Sequence, residues 1–466
     1  MPEYPLDQKK VLQTKEYDVA VIGGGNAALV SAITAAERGL KVIMIEAAPK
    51  VDRGGNTKYT RDIRYAHTKD NYASGEYGSE EFLEDLRGVS GDSLNEEMAR
   101  FVIEESRSIP EWMADHNVIF KNDIRGTLSL GRTNVFFLGG GKALLNTYYE
   151  IAEKMGISIL YDTTVMNINM ENKRAVSITV FSSQNKVEIS FKSLILASGG
   201  FEGNLEELVN IWGKMADNFI IRGSRFNKGI PLFSMIENGA EVVGSPKGGH
   251  MVAVDARAPR FDGGIVTRLD AIPMGIVLNI DGKRFYDEGE DIWPKRYAIW
   301  GHLIAEQPGQ KAYVIVDSKV DGKYLPGAFE PLVSSTLTGL LEKLGIPIEN
   351  SLKTIEDFNN SIASGKFDHA VLDGCHTVGI TPKKSNWARK IDNPPFYAYP
   401  MKPGLTFTYM GLKVDKKARV LSKDGPYSNV FAAGEIMSGN VLIRGYLAGF
   451  GLTIGTVFGR SAGINV

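Results

Sequence analysis

The chain is predicted to fold as a doubly wound α/β protein interrupted by an inserted α+β lobe, and three observations carry that prediction. Residues 18–22, 41–46 and 193–197 form short, almost uninterrupted apolar runs, the composition of strands buried on both faces. Glycines close two of these runs, at 23–25 and at 199–200 after Ser198, and a helical pattern follows the first. From about residue 245 to 406 the pattern changes to short mixed elements rich in Arg, Trp, Tyr and Pro. The 466 residues suffice for two or three lobes.

Taken in order, residues 26–38 place Ala, Leu and Ile at helical spacing with Gly39 as the stop, so residues 18–46 read as one βαβ unit. A second alternation predicts a helix over 142–155, opened by Gly139-Gly140-Gly141, then strands over 158–161 and 164–170 that extend the parallel sheet. The strand at 429–432 returns to that sheet, and the glycine-rich run 445–459 reads as a buried helix too short to span a bilayer. The expected lobes are 1–245 and 406–466 for the first domain and 246–405 for the cap. With 53 basic against 55 acidic residues, no global field draws nucleic acid or an anionic membrane. Residues 1–16 lack an apolar core of the secretory type, which predicts a cytoplasmic protein. One cysteine, Cys375, excludes internal disulfides and a cysteine-ligated iron–sulfur cluster.

The glycine turn carries chemistry. Gly23, Gly25 and Ala28 fit G-x-G-x-x-G/A: the first glycine makes the tight turn, Gly25 lets backbone approach a pyrophosphate, and Ala28 permits close packing. Asn26 and Ala27 complete the loop. Glu46 ends the next strand about 20 positions beyond Gly25, where a carboxylate accepts the ribose hydroxyls and repels a 2′-phosphate. This is a Rossmann-type site for FAD or NAD. Gly54-Gly55-Asn56-Thr57, which follows Glu46, and Gly434-Glu435 at a late strand end favour FAD. Val165, Ala197, Ser198 and Gly199 join the set, and Gly449, Gly451 and Leu452 at the last helix could present amides to the flavin.

These motifs, with ASGG at 197–200 and AAGE at 432–435, resemble the fumarate reductase and succinate dehydrogenase flavoprotein superfamily. Within it, GGNTKYTRDIR at 54–64, RTNVFFLGGGK at 132–142, HMVAVDARAP at 250–259 and RFYDEGEDIWPKRYAIWG at 284–301 look like tricarballylate dehydrogenases. The resemblance implies a fumarate reductase-like fold, oxidation of tricarballylate to cis-aconitate, and electron transfer to a separate membrane-associated iron–sulfur and haem protein. It implies His250 and Arg444 as substrate anchors and Arg296 as the proton acceptor, with Tyr297 and Tyr409 as alternative acceptors. Arg284 is a further anchor whose rival reading is an ion pair with Asp287, Glu288 or Glu290. Thr406 and Thr408 occupy the strand where the superfamily carries a second substrate histidine. The proton-relay positions fall on Arg268 and Ala271 and lack the relay residues. Lys58, Tyr59 and Thr60 stand where a flavin-tethering histidine would, and His67 lies further on, so the FAD is expected to be non-covalent. A tricarboxylate needs a third cation, drawn from Arg61, Arg64, Arg225, Arg257 and Lys295. The alternatives are a fumarate-type enoate reductase and a flavin-binding electron carrier without carboxylate turnover.

Overall fold

The computed structural model describes residues 16–69, 71–121, 130–182, 185–261, 263–264 and 267–466. The leading residues 1–15, on which the reading of the N-terminus rests, lie outside this set.

The strand Tyr17–Ile22 is the middle of an eight-stranded sheet. It pairs in parallel with Val42–Ile45 on one side and with Asn185–Leu196 on the other. Ser158–Leu160 and Gly425–Ala432 continue the parallel order outward. Both faces are covered at the centre of the sheet, so residues 19–22, 42–45, 194–196 and 430–432 are buried, as their apolar sequences require, while the first part of Asn185–Leu196 is largely exposed. The helix Asn26–Glu37 follows the first strand, and Gly39, with φ +79°, lets the chain turn into the next.

Two expectations change in detail. Thr163–Glu171 does not extend the parallel sheet. It forms an antiparallel ribbon with Arg174–Ser182, because Asn172 and Lys173 both take positive φ, 46° and 61°, the geometry of a two-residue hairpin. The last helix covers Phe450–Asn465 and starts later than the apolar run suggests, since Gly449 stands at its N-cap with φ +82°. No helix among the described residues is long and apolar enough to cross a membrane.

The cap is built on a six-stranded sheet whose organising strand is Phe396–Thr408. Gly249–Asp255 and Ala312–Asp317 pair with it antiparallel, and Ile220–Ile221 pairs with it in parallel. Strands of this sheet therefore come from 220 to 408, while those of the first sheet come from 17 to 196 and from 419 to 432. The central strand of the cap delivers its last residues, Thr406 and Phe407, to a cleft between the two sheets.

Candidate active site

The cleft encloses about 1900 Å³, counting the part open to solvent. One half is made mainly of backbone. Gly23 turns the chain at φ +124°, and a Cβ there would lie 2.2 Å from the carbonyl of Ala197. At Gly24 it would lie 1.9 Å from Glu46 Oε2. The helix beginning at Asn26 has no side-chain cap at Gly25, so its positive end opens on the cleft. The turn is locked by the Asn26 amide, which donates to Thr57 Oγ1 at 2.9 Å, and by Asn26 Nδ2, which donates to Thr456 Oγ1 at 2.9 Å. Glu46 accepts from the amide of Ala48 at 2.9 Å, and burial raises its proton affinity. Small residues let the last helix press against the dinucleotide helix: a Cβ on Gly459 would meet Ala27 O at 2.9 Å.

This half fits FAD. Asn26 Oδ1 and Ser198 Oγ are buried without partners among the described residues, and both residues line the cleft. Gly23, Gly25, Ala27, Glu46, Gly55, Asn56 and Thr57 line it from the first βαβ unit. Val165, Ala197, Gly199, Gly434, Glu435, Gly449, Gly451 and Leu452 line it from the later strands and the last helix. Ala28 and Gly54 stand behind this surface. Ala28 is fully buried in the helix, and the Gly54 amide points to Glu46 Oε2 at 3.4 Å. The Gly451 amide, expected to point at the flavin, donates instead to the Tyr446 hydroxyl at 2.9 Å.

A buried acid pair joins the two halves. Asn56 Nδ2 donates to Glu202 Oε1 at 2.7 Å and to the carbonyl of Thr406 at 2.7 Å, and it lies 3.5 Å from Glu435 Oε2. Asn227 Nδ2 also donates to Glu202, at 2.6 Å, and the Thr408 amide donates to Glu435 Oε1 at 2.8 Å. Burial raises the proton affinity of both acids. Glu435 is pushed furthest, since the neighbouring Glu202 adds its charge.

Side chains build the other half. His250 is buried, stacked on Tyr446 at 4.2 Å and set edge-on to Tyr297 at 5.2 Å. Its Nε2 has no partner among the described residues. Burial, then the charges of Arg222 and Arg268, hold this imidazole well below its usual value, so it is neutral. Arg268 forks onto Asp270 at 2.7 and 2.8 Å and lies 4.7 Å over the Tyr297 ring. Arg222 donates to Gly264 O at 2.8 Å and to Thr406 Oγ1 at 2.9 Å. Arg61 and Asp62, 3.3 Å apart, complete the wall, and burial raises the proton affinity of Asp62. The Tyr297 hydroxyl makes no hydrogen bond among the described residues.

Of the sequence-predicted substrate residues, His250, Tyr297 and Thr406 line this cleft. Arg284 is corrected: it forks onto Glu288 at 3.0 and 2.6 Å, donates to Pro382 O at 2.7 Å and does not line the cleft. The i to i+4 acid is its rival reading realised. Tyr409 is likewise structural, fully buried with its hydroxyl donating to Gly445 O at 2.9 Å. Thr408 spends its hydroxyl on Glu435, at 3.2 Å. Arg296 lies off the cleft wall, 3.1 Å from Glu290, and Arg444 is exposed and also off it.

Among the third-cation candidates, Arg61 lines the cleft, whereas Arg64 and Lys295 face Asp85 at 3.7 and 2.5 Å, Arg257 pairs with Asp255 at 2.7 Å, and Arg225 is exposed. His67 has both ring nitrogens within 3.1 Å of backbone carbonyls and does not line the cleft. Sequence reasoning missed Arg222, Asp62, Asn227 and Tyr446 as cleft residues. It named Arg268 only as a departure from a pattern. No spacing marks them, since they come from four separate segments.

Comparison with known proteins agrees with this geometry. An FAD binding domain family matches residues 18–452. NADH:fumarate oxidoreductase of Klebsiella pneumoniae (strain 342) is 28% identical over 442 residues, 91% of this chain and 45% of that protein. The chain thus spans less than half the length of that relative. A fumarate reductase (cytochrome) of Shewanella frigidimarina is 26% identical over 473 residues, covering 96% of this chain and 76% of that one. The open conformation of a flavocytochrome c3 fumarate reductase superposes with a TM-score of 0.71 at 21% identity, covering 99% of this chain and 81% of the other. With FAD as its cofactor, the chain belongs to the FAD binding domain family, and its fold is shared with the flavocytochrome c3 fumarate reductase.

Proposed function

We propose that this protein dehydrogenates a CH–CH bond in a small polycarboxylic acid, with tricarballylate as substrate and cis-aconitate as product. The observation that supports it is the meeting of a flavin-type backbone cradle with a wall that carries three arginines, Arg61, Arg222 and Arg268, and a neutral histidine. Guanidinium groups match carboxylates in shape and charge, and a desolvated polyanion needs such partners. Bound FAD, held non-covalently, supplies the hydride acceptor.

The residues of the chain do the rest. Arg61, Arg222 and His250 hold and neutralise the carboxylates, which lowers the cost of removing the proton alpha to one of them. Tyr297, in its phenolate form, takes that proton on Oη and becomes the neutral phenol. Its proton affinity is raised by burial and drawn down by Arg268 and Arg222, so the two guanidiniums offset part of the cost of the phenolate. A hydride leaves the adjacent carbon, so two C–H bonds break, one C=C forms, and two electrons leave the substrate. These electrons pass to a membrane-associated iron–sulfur and haem carrier, the partner that the family resemblance implies.

Anaerobic addition of tricarballylate to the purified yellow protein is expected to bleach the flavin and yield cis-aconitate, detected by chromatography. An unchanged spectrum at saturating tricarballylate would sink the proposal. The similarity to fumarate reductases favours a second reading, an enoate reductase. Rapid reoxidation of dithionite-reduced protein by fumarate, with none by cis-aconitate, would select it.

A further inference from the structure

Four arginines are buried among the described residues: Arg64, Arg222, Arg268 and Arg284. Three of them face an acid. Arg64 lies 3.7 Å from Asp85, Arg268 lies 2.7 Å from Asp270 and Arg284 lies 2.6 Å from Glu288. Arg222 faces none. Its two bonds go to a neutral carbonyl and a neutral hydroxyl, at 2.8 and 2.9 Å, and its Nη2 has no partner among the described residues. Only 6% of the residue is exposed, and it lines the cleft. Burial and the nearby Arg268 draw its proton off more easily than from any ordinary arginine, to about 10.

A buried guanidinium without a counter-charge is costly unless an anion reaches it. The described residues provide no such anion at this position. Arg268 does not share the role, because Asp270 already fills its fork. Beside Arg222 stands a second unmet group, the buried Nε2 of neutral His250. A carboxylate placed between them would satisfy both, with one oxygen on the free edge of the guanidinium and the other accepting from the imidazole.

We propose that Arg222 is the carboxylate anchor of the cleft, with His250 Nε2 as its second contact and Thr406 Oγ1 as the residue that aims it. The proposal rests on the functional reading above only in taking the ligand to be a carboxylic acid. It makes the cap strand part of the site: Thr406 is delivered by Phe396–Thr408, so the anchor is aimed by the cap and not by the cofactor domain.

The test uses the FAD-loaded protein and a panel of tricarballylate, cis-aconitate and succinate, with binding followed by calorimetry and by the perturbation of the flavin spectrum. In Arg222→Gln the acid that binds most tightly to the native protein is expected to weaken at least ~100-fold, with FAD content and the resting spectrum unchanged. Arg222→Lys keeps the charge and loses the fork, and should weaken it ~10-fold. If Arg222→Gln does not fold, Arg222→Lys decides, and native affinity in that variant would overturn the proposal, as would native affinity in Arg222→Gln. If tricarballylate fails to bind the native protein but another acid binds and is lost in Arg222→Gln, the anchor stands and the tricarballylate reading falls. If no acid on the panel binds the native protein, both fall.

Discussion

The two halves of the cleft are made of different material. The cofactor half is glycine, helix terminus and backbone, and its contacts are set by where two strands end. The half under the cap is side chains: two arginines, a histidine and two tyrosines that arrive from 222, 250, 268, 297 and 446. The difference separates what the fold dictates from what the substrate dictates. A βαβ turn makes its anion site from the peptide group alone, so any chain that folds this way has one. The cap wall owes its charge to individual side chains, so its chemistry is set residue by residue and not by the sheet beneath it.

Substitutions can break this contrast. The largest effect on stability is expected from Arg284→Ala, which leaves Glu288 as an uncompensated buried charge at a cost of ~3–5 kcal/mol. Denaturant titration would show this loss, while the folded fraction should keep its FAD and its kcat. A loss of turnover in that folded fraction would return Arg284 to the site. Gly23→Ala attacks the backbone half. A Cβ 2.2 Å from Ala197 O at φ +124° should cost ~3 kcal/mol and leave a protein without visible flavin absorbance. Retention of flavin would show that the turn adapts. Tyr297→Phe attacks the other half and should lower kcat ~100-fold or more while FAD content stays at one per chain. A kcat within twofold of native would remove Tyr297 as the proton acceptor.

A smaller effect concerns the cap itself. Lys384 is buried with its ammonium on the carbonyls of Pro273 and Gly275, at 2.8 and 2.7 Å, and burial pulls its value down to about 8. Between about pH 8 and the ordinary lysine range the unfolded chain binds a proton that the native chain has lost, so stability rises with pH across that window. The gain is roughly 2–3 kcal/mol by the usual conversion. Urea midpoints for the native protein and Lys384→Met, compared from pH 7 to ~10, should diverge in slope there. Parallel profiles would place the proton elsewhere.

How far the site could be read follows from the same contrast. Gly23, Gly25 and Glu46 were legible because sequence neighbours became spatial neighbours through one strand–turn–helix unit. Arg284 misled because its acid partner sits only four positions away, a pairing the sequence offers with equal ease. Arg222 carries no local mark. Its meaning arises from Thr406, 184 positions later, and from the absence of an acid beside it among the described residues. The cap order also escaped the sequence, since Ile220–Ile221 joins its sheet by pairing with Gly404 and Leu405.

Asn56 touches Thr406 across 350 positions and approaches Glu435 across 379. During synthesis the carbonyl and the carboxyl that Asn56 needs emerge 350 and 379 positions after it. Contacts of such separation form late, after the loop between their ends has closed. The cleft therefore cannot be finished before residues 406 and 435 have been made. Capture of the vitamin-derived cofactor waits on those late residues, and a chain cut after residue 431 should yield a product that never turns yellow, because it ends before Glu435 and the last helix.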